Sequence, residues 1–224
     1  MFKTETHMHT APVSSCSRIG PREMVKRHKD AGYDTVFVSD HFAKFHFDKL
    51  GENLTWEEKV NRFFQAYDEA KAAGDEYGIN VLLSAELSLA GNHYLMYGIN
   101  KEVMMARPNI FDITVEEFSA YARANGITVV QAHPLRDGKC VPKPEPVDGL
   151  EVINSNPRHE NFDDQVWEIA RQYNLPVFAG SDAHRDEDIG GAAMLSENEI
   201  KTVEDYLELL KSGKAKLMKW GKIV

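Results

Sequence analysis

Short apolar runs recur along this chain, and most of them break off at a histidine or a carboxylate. Residues 1–9 end in His7-Met8-His9, and Asp40-His41 follow Thr-Val-Phe-Val-Ser. Glu86 follows Val-Leu-Leu-Ser-Ala, and His133 follows Ile-Thr-Val-Val-Gln-Ala. Asp182 and His184 come after Pro-Val-Phe-Ala-Gly-Ser, whereas His93 opens its run, Tyr-Leu-Met-Tyr-Gly-Ile. Each run has the length and β-branched or aromatic content of a strand. Strands are therefore predicted over 1–9, 35–39, 79–85, 93–99, 127–132, 149–153 and 176–180.

Between the runs lie helix signals. Pro21 suits a first helical position, and the following segment stops at Gly32. Thr55-Trp-Glu-Glu58 and Thr114-Val-Glu-Glu117 are capping boxes. They open helices that end near Gly78 and at Asn125-Gly126. Two more helices are predicted over 163–173 and 203–212, and loops over 10–20 and 41–54. No repeat, low-complexity tract or long linker interrupts this alternation, so residues 1–224 read as one domain.

Strand-then-helix alternation predicts an α/β fold with a mostly parallel sheet. Active sites in such folds lie at the C-terminal ends of the strands, in barrels and in open sheets alike. Ligands from five or six strands converge more easily in a closed barrel. No glycine-rich phosphate loop is present, which weakens a nucleotide-binding reading.

The run-end residues define the chemistry. In a strand, residues i and i+2 share a face, so His7 and His9 project together about 7 Å apart at their Cα atoms. The full set is His7, His9, His41, Glu86, His93, His133, Asp182 and His184. It exceeds what one tetrahedral ion takes. It implies two or three divalent metal ions, with a carboxylate such as Glu86 able to bridge a pair. Mixed nitrogen and oxygen ligands suit Zn, Mn or Fe.

In order and over nearly the whole length, these motifs resemble those of the PHP (polymerase and histidinol phosphatase) family. His7-x-His9 resembles the first motif, Ser39-Asp40-His41 the second, and Glu86 with His93 the third. Ala132-His133-Pro134 and Gly180-Ser181-Asp182-Ala183-His184 resemble the last two. The resemblance implies a distorted, TIM-like (β/α)7 barrel with its metal site at the C-terminal ends of the strands. It also implies hydrolysis of a phosphate ester by metal-activated water, as in histidinol phosphatases and small nucleotide phosphoesterases. It would give His7, His9, Glu86 and Asp182 to one ion, and Glu86, His93 and His133 to a second. His41 and His184 would hold a third. One departure stands out. Residues 10–17, where the family supplies another ligand, hold no His, Asp or Glu. Cys16 either takes that place as a thiolate or is a small buried thiol.

Other residues carry secondary expectations. Asp40 either orients a ligand or, like His184, handles a proton. Arg158, beside His159, is the leading phosphate ligand, because an arginine fork binds phosphate through two hydrogen bonds. Arg136, Arg18 and Arg185 lie on similar loops, and Asn154 ends a strand facing the site. His28 sits on a polar helix and reads as solvated. His46 either lines the pocket or packs within its loop. Trp56, Phe63 and Phe64 read as fold residues.

Composition narrows the partners. A net charge of -9 and a pI near 5.5 argue against a general nucleic-acid surface. They allow a small phosphorylated substrate. No apolar run approaches a membrane span, the N-terminus lacks a signal-peptide pattern, and two cysteines are too few for a disulfide framework. A cytoplasmic setting follows as an expectation, and the oligomeric state is open. Only 40 residues separate His93 from His133, leaving little room for a cap domain, so short oligonucleotides stay within reach. Two rival readings are an amidohydrolase-like C–N hydrolase and a PHP-type module serving a partner protein. The first expects a bridging lysine that no strand end supplies. An apparently full main ligand set counts against the second.

Overall fold

The structure, a computed structural model, describes residues 1–51 and 53–224. The chain opens with β1 (Phe2–Met8), α1 (Pro21–Asp30), β2 (Thr35–Val38), β3 (His41–Phe42), α2 (Lys44–Lys49) and α3 (Trp56–Tyr77). It continues through β4 (Asn80–Leu83), β5 (Glu86–Leu89), β6 (Asn92–Tyr97), α4 (Lys101–Met105), α5 (Val115–Ala124) and β7 (Thr128–Ala132). Then come β8 (Gly149–Asn154), α6 (Asp163–Tyr173), β9 (Val177–Gly180), β10 (Ala192–Ser196), α7 (Val203–Ser212), β11 (Lys216–Lys219) and β12 (Lys222–Ile223).

Local signals act as read. Both predicted capping boxes form, with Thr55 and Thr114 hydroxyls accepting from the amides of Glu58 and Glu117. A third forms at Thr202 and Asp205. α3 stops where Gly78 turns left-handed at φ 68°. Much of the 41–54 stretch, expected as loop, is instead β3 and α2; Glu52 within it lies outside the described residues. No described helix is long and apolar enough to cross a membrane.

The strands form two six-stranded sheets, β12-β11-β10-β1-β2-β4 and β3-β5-β6-β7-β8-β9. The parallel pair β2–β4 passes into the parallel pair β3–β5 across short breaks. There Ser84 N donates to Val38 O and Glu86 N to Asp40 O. At the other seam a single parallel bridge joins Met8 to Ala183, with His9 N donating to Ala183 O. Among the described residues no sheet closes on itself, so the expected closed barrel is not what the ladders draw.

The sheets are also mixed rather than mostly parallel. β5 and β6 are joined by Ala90-Gly91, both with positive φ (48° and 80°), a two-residue turn that makes an antiparallel hairpin. This explains why His93 opens its run. β6 runs against its parallel-oriented neighbours, so its first residues lie at the end where the other strands finish. Trp220-Gly221 makes the same kind of turn between β11 and β12 (φ 47° and 77°). The three last strands were not expected. They extend β1 on the side where it pairs antiparallel with β10.

The core lies between the sheets and helices, with Phe37, Tyr97, Phe178 and Tyr206 in mutual ring contact. His28 is part of this interior, not solvated. It shares the buried face of α1 with Pro21, Met24 and Val25, and its Nδ1 pairs with the Met24 carbonyl. Its helix is polar overall, but the i, i+3, i+4, i+7 face is covered.

Candidate metal centre

All eight run-end residues come together. His7 lies in β1 and His9 just past it; His41 opens β3 and Glu86 opens β5. His93 is in β6, His133 follows β7, and Asp182 and His184 follow β9. Glu86, fully buried, is the hub. Its Oε1 lies 2.9 Å from His133 Nε2, 3.1 Å from His93 Nδ1 and 3.3 Å from His7 Nε2. Its Oε2 lies 2.5 Å from His41 Nδ1 and 3.8 Å from His9 Nε2. Asp182 Oδ1 is 3.1 Å from His9 Nε2 and 3.4 Å from His7 Nε2.

Several sets of these groups offer ligand atoms within 4.8 Å of one another: His7, His9 and Glu86; Glu86, His93 and His133; and His9, His41 and His184. The second is the set the family resemblance gave to one ion; the first lacks Asp182, which groups instead with His7 and His133 across that division. Buried Nε2 atoms of His7 and His9 have no hydrogen-bond partner. Such atoms are costly unless something not yet counted satisfies them. Imidazole nitrogens gathered on a buried carboxylate suit divalent cations.

The electrostatics divide the groups. Burial opposes a charge on His7, His41 and His184, but Glu151, Asp182 and Glu86 raise His7, Glu86 and Cys16 raise His41 to about 10, and Asp182 and Cys16 raise His184, so these three rings must shed a proton to bind an ion. Burial would raise the Glu86 carboxyl pKa, but His93, His41 and His7 hold it well below its ordinary range. Burial opposes ionisation of Asp182 too, and Arg136 and His7 overcome it. Burial pushes His133 down to about 3, helped by Arg136, and burial with His41 and His184 lowers His9. Both rings are therefore neutral at pH 7.

An outer layer fixes the imidazoles. His7 Nδ1 donates to Glu151 Oε1 at 2.9 Å, which turns the Nε2 lone pair toward Glu86. Glu151 Oε2 accepts from His133 N and from Asn154 Nδ2. His9 Nδ1 meets Ser14 Oγ at 3.1 Å, and Ser14 Oγ donates to Asp40 Oδ1. Glu151 was missed in the sequence. Its signal was a lone carboxylate inside the apolar run Gly-Leu-Glu-Val-Ile, on a strand that proves buried throughout.

Comparison with known proteins bears on this arrangement. Residues 161–215 match the PHP-associated family model. No curated sequence matches the chain. The fold is shared with a two-domain protein from Bacteroides vulgatus containing a predicted PHP-like metal-dependent phosphoesterase (15% identity, TM-score 0.74, 99% of this chain and 66% of that one). It is shared with PsfC from Pseudomonas syringae (19% identity, TM-score 0.65, 92% of this chain and 87% of that one). The lesion-specific endonuclease Q from Pyrococcus furiosus also has it (17% identity, TM-score 0.65, 97% of this chain and 57% of that one). The chain matches the PHP-associated model at residues 161–215 and shares the fold of PHP-like proteins, which supports the PHP resemblance of its motifs. It spans less than two thirds of the Bacteroides protein and of the endonuclease.

The remaining candidate residues fall into place around the hub. Asp40 accepts from Thr10 N, Thr10 Oγ1 and Ser14 Oγ, so its carboxylate organises the 10–17 loop. It reaches His9 only through Ser14. Arg158 is not left facing the centre. It pairs through both Nη atoms with the buried Asp188, whose Oδ2 also accepts from His184 N. The arginine at the centre is Arg136, with Nη2 2.6 Å from Asp182 Oδ2 and 2.9 Å from Asn154 Oδ1. Asn154 thus links Arg136 to Glu151. His159 pairs with Asp137, away from the ligand set.

His41 and His184 stand with Nε2 atoms 3.4 Å apart, and Cys16 Sγ is 3.2 Å from His41 Nε2. Cys16 and His46 also form a potential ligand group with His41. Burial would raise the Cys16 thiol, but hydrogen bonds with His184 and His41 bring it down to about 6. Cys16 thus stands beside His41 and His46 in the loop that offers no His, Asp or Glu.

Proposed function

We propose that this chain is a metal-dependent phosphoesterase acting on a small phosphate ester, with two or three divalent ions (Zn, Mn or Fe) at the Glu86 cluster. One observation carries the reading: a buried carboxylate ringed by imidazoles, two of whose inward nitrogens have no partner. Bound there, such ions polarise a phosphoryl oxygen and make a water more acidic. We assign His7, His9, Glu86 and Asp182 to the first ion, Glu86, His93 and His133 to the second, and His41 and His184, joined by Cys16, to the third.

The protein's own groups do the rest. Glu151 and the Ser14–Asp40 pair hold His7 and His9 in the tautomer that presents Nε2. We place the substrate phosphate against Arg136, whose guanidinium already faces a ligand carboxylate and is anchored by Asn154 and Asn161. Arg158 braces the His184 loop, and His184 is positioned to pass a proton to the departing oxygen. On the fold, we read the two sheets as one seven-stranded barrel opened at two places. β2 and β3 count as one interrupted strand, β4 and β5 as another, and the Met8–Ala183 bridge marks where the ring would close.

A phosphodiester is the second reading. A structure of endonuclease Q holds a 27-mer duplex with an abasic lesion at its active site. That enzyme shares this fold, which sets a counterweight to the charge argument against nucleic acid. The deciding experiment offers phosphomonoesters, short oligonucleotides and amides with Mn²⁺, Zn²⁺ or Fe²⁺, alongside metal analysis. Monoester turnover with at least two metal equivalents is expected. Arg136→Ala should lower kcat/KM by about 10- to 100-fold, the loss of a charge-assisted contact. Turnover of amides alone, or a single bound equivalent, overturns the reading.

A further inference from the structure

Outside the ligand cluster, a cavity of about 650 Å³ opens between the head of α6 and the β11–β12 turn. Its aromatic walls are Trp167 and Trp220. Trp220 is half exposed, at 51%, in a left-handed turn whose amide is tied to Gly191 O at 2.8 Å. Gly191 permits this approach, since a Cβ there would meet Ser155 Oγ at 2.3 Å and the Trp220 ring at 3.1 Å. A large ring is thus held at the mouth of a cavity by backbone that only a glycine accommodates.

The charged part of the lining is acidic. Ser155 is buried and its Oγ has no partner, although it lines the cavity. Glu160 and Asp164 are exposed carboxylates of the rim. The one lysine, Lys219, is engaged with Asp163 at 2.5 Å. The cavity therefore offers rim carboxylates as acceptors, two indoles and the Gln165 and His159 side chains, and no unspent lysine or arginine for an anion. Groups that match are flat, uncharged or weakly basic, and rich in N–H donors. Stacking on tryptophan is tolerant of ring identity, so the N–H donors supply the selectivity.

We infer that this cavity binds a heteroaromatic ring bearing an exocyclic amino group, of the adenine or cytosine type. The site lies one layer of side chains from the ligand cluster. Asn154 and Asn161 line the cavity, and they also hold Arg136 at 2.9 and 3.3 Å. The same two side chains thus face the cavity on one side and Arg136 on the other. The inference goes beyond the phosphoesterase reading and does not depend on it, because a nucleoside carries no phosphate.

Isothermal titration calorimetry of the full chain with adenosine and with cytidine tests it, using purine riboside, the same purine ring without the amino group, as the control. Saturable binding of adenosine or cytidine is expected, with purine riboside at least about tenfold weaker. Trp220→Ala should weaken adenosine by about tenfold or more, the scale of one lost stacking contact. Glu160→Gln, which removes one rim carboxylate, should weaken it severalfold while leaving the melting temperature in place. Absence of saturable heat with both nucleosides overturns the proposal. So does purine riboside binding as tightly as adenosine, or an affinity unchanged in both variants. Failure of every ester in the activity panel, with nucleoside binding intact, removes the phosphoesterase reading and leaves this one standing.

Discussion

Glu151 is not in the ligand set, yet its replacement by glutamine should weaken the metal centre measurably. The carboxylate serves three donors at 2.9 Å each: His7 Nδ1, the His133 amide and Asn154 Nδ2. Glutamine keeps the shape but has one acceptor oxygen and a donor NH2. If its oxygen faces His7, the NH2 confronts the His133 amide and the Asn154 NH2. If it turns the other way, it confronts the His7 Nδ1 proton and favours the tautomer whose Nε2 cannot bind an ion. Either way one buried, charge-assisted hydrogen bond is lost, which costs about 1.5–3 kcal/mol. At about 1.4 kcal/mol per tenfold, that is roughly 10- to 150-fold in affinity. Outer partners of metal-bound histidines commonly show a similar range, about 10- to 100-fold. The assay is Zn²⁺ or Mn²⁺ titration of chelated protein against a competing chelator. The ions that His7 and His133 hold should weaken by that range, and the one at His41 and His184 should be unmoved. Dissociation constants of Glu151→Gln all within about twofold of wild type would refute the argument, since the tautomer would then be set elsewhere.

Two further outcomes are expected. Gly180→Ala puts a Cβ 2.5 Å from His7 Cβ and 2.6 Å from Glu151 Oε1, so overpacking of about 1–3 kcal/mol should lower the melting temperature and metal content together; wild-type values for both would show that the β1–β9 seam yields. Cys16, with its pKa at about 6, should be alkylated by iodoacetamide in chelated protein with a midpoint near that pH, because the reactive thiolate is the form present above the pKa. Cys140, raised by burial, should stay protonated there. Metal loading should protect Cys16, and Cys16→Ser should remove only the last metal equivalent; full reactivity in the loaded protein would exclude the thiolate as a ligand.

What could be read in the sequence was mostly local. Capping boxes at Thr55 and Thr114, the glycine stop at Gly78 and the ends of the apolar runs each depend on a few adjacent residues, and the structure follows them. Strand direction is not local. Nothing in Tyr-Leu-Met-Tyr-Gly-Ile says which way the strand runs, though the Ala90-Gly91 pair before it was a hairpin signal. Pairing between charged groups was equally hidden. Arg158 and Arg136 look alike as loop arginines, and only the positions of Asp188 and Asp182 decide that the first pairs outside the ligand set and the second with a member of it. His28 failed for another reason: a helix with charged residues on three sides still buries its fourth.

The ligand cluster is held by backbone that ordinary side chains avoid. His133 and Asp182 both have positive φ, at 32° and 53°. Residues in that region cost of order 1–3 kcal/mol each and persist only where their surroundings over-determine them. Here the surroundings are two further buried carboxylates. Glu151 takes the amide of His133. Glu5 Oε1 takes the amides of Thr6, His7 and Ser181, so it ties β1 to the residue that precedes Asp182. Ala183 N then donates to His7 O, and Asn156 Nδ2 to the Asp182 carbonyl. The Ser181 amide is therefore spent on a side chain instead of a neighbouring strand. This accounts for the single bridge at the β1–β9 seam. Were that seam a regular ladder, residues 181–184 would continue as a strand, and the left-handed turn that brings Asp182 against both His7 and His9 would be lost. The break in the sheet and the convergence of the ligands are one structural feature, and Glu5 and Glu151 stabilise it from the two sides.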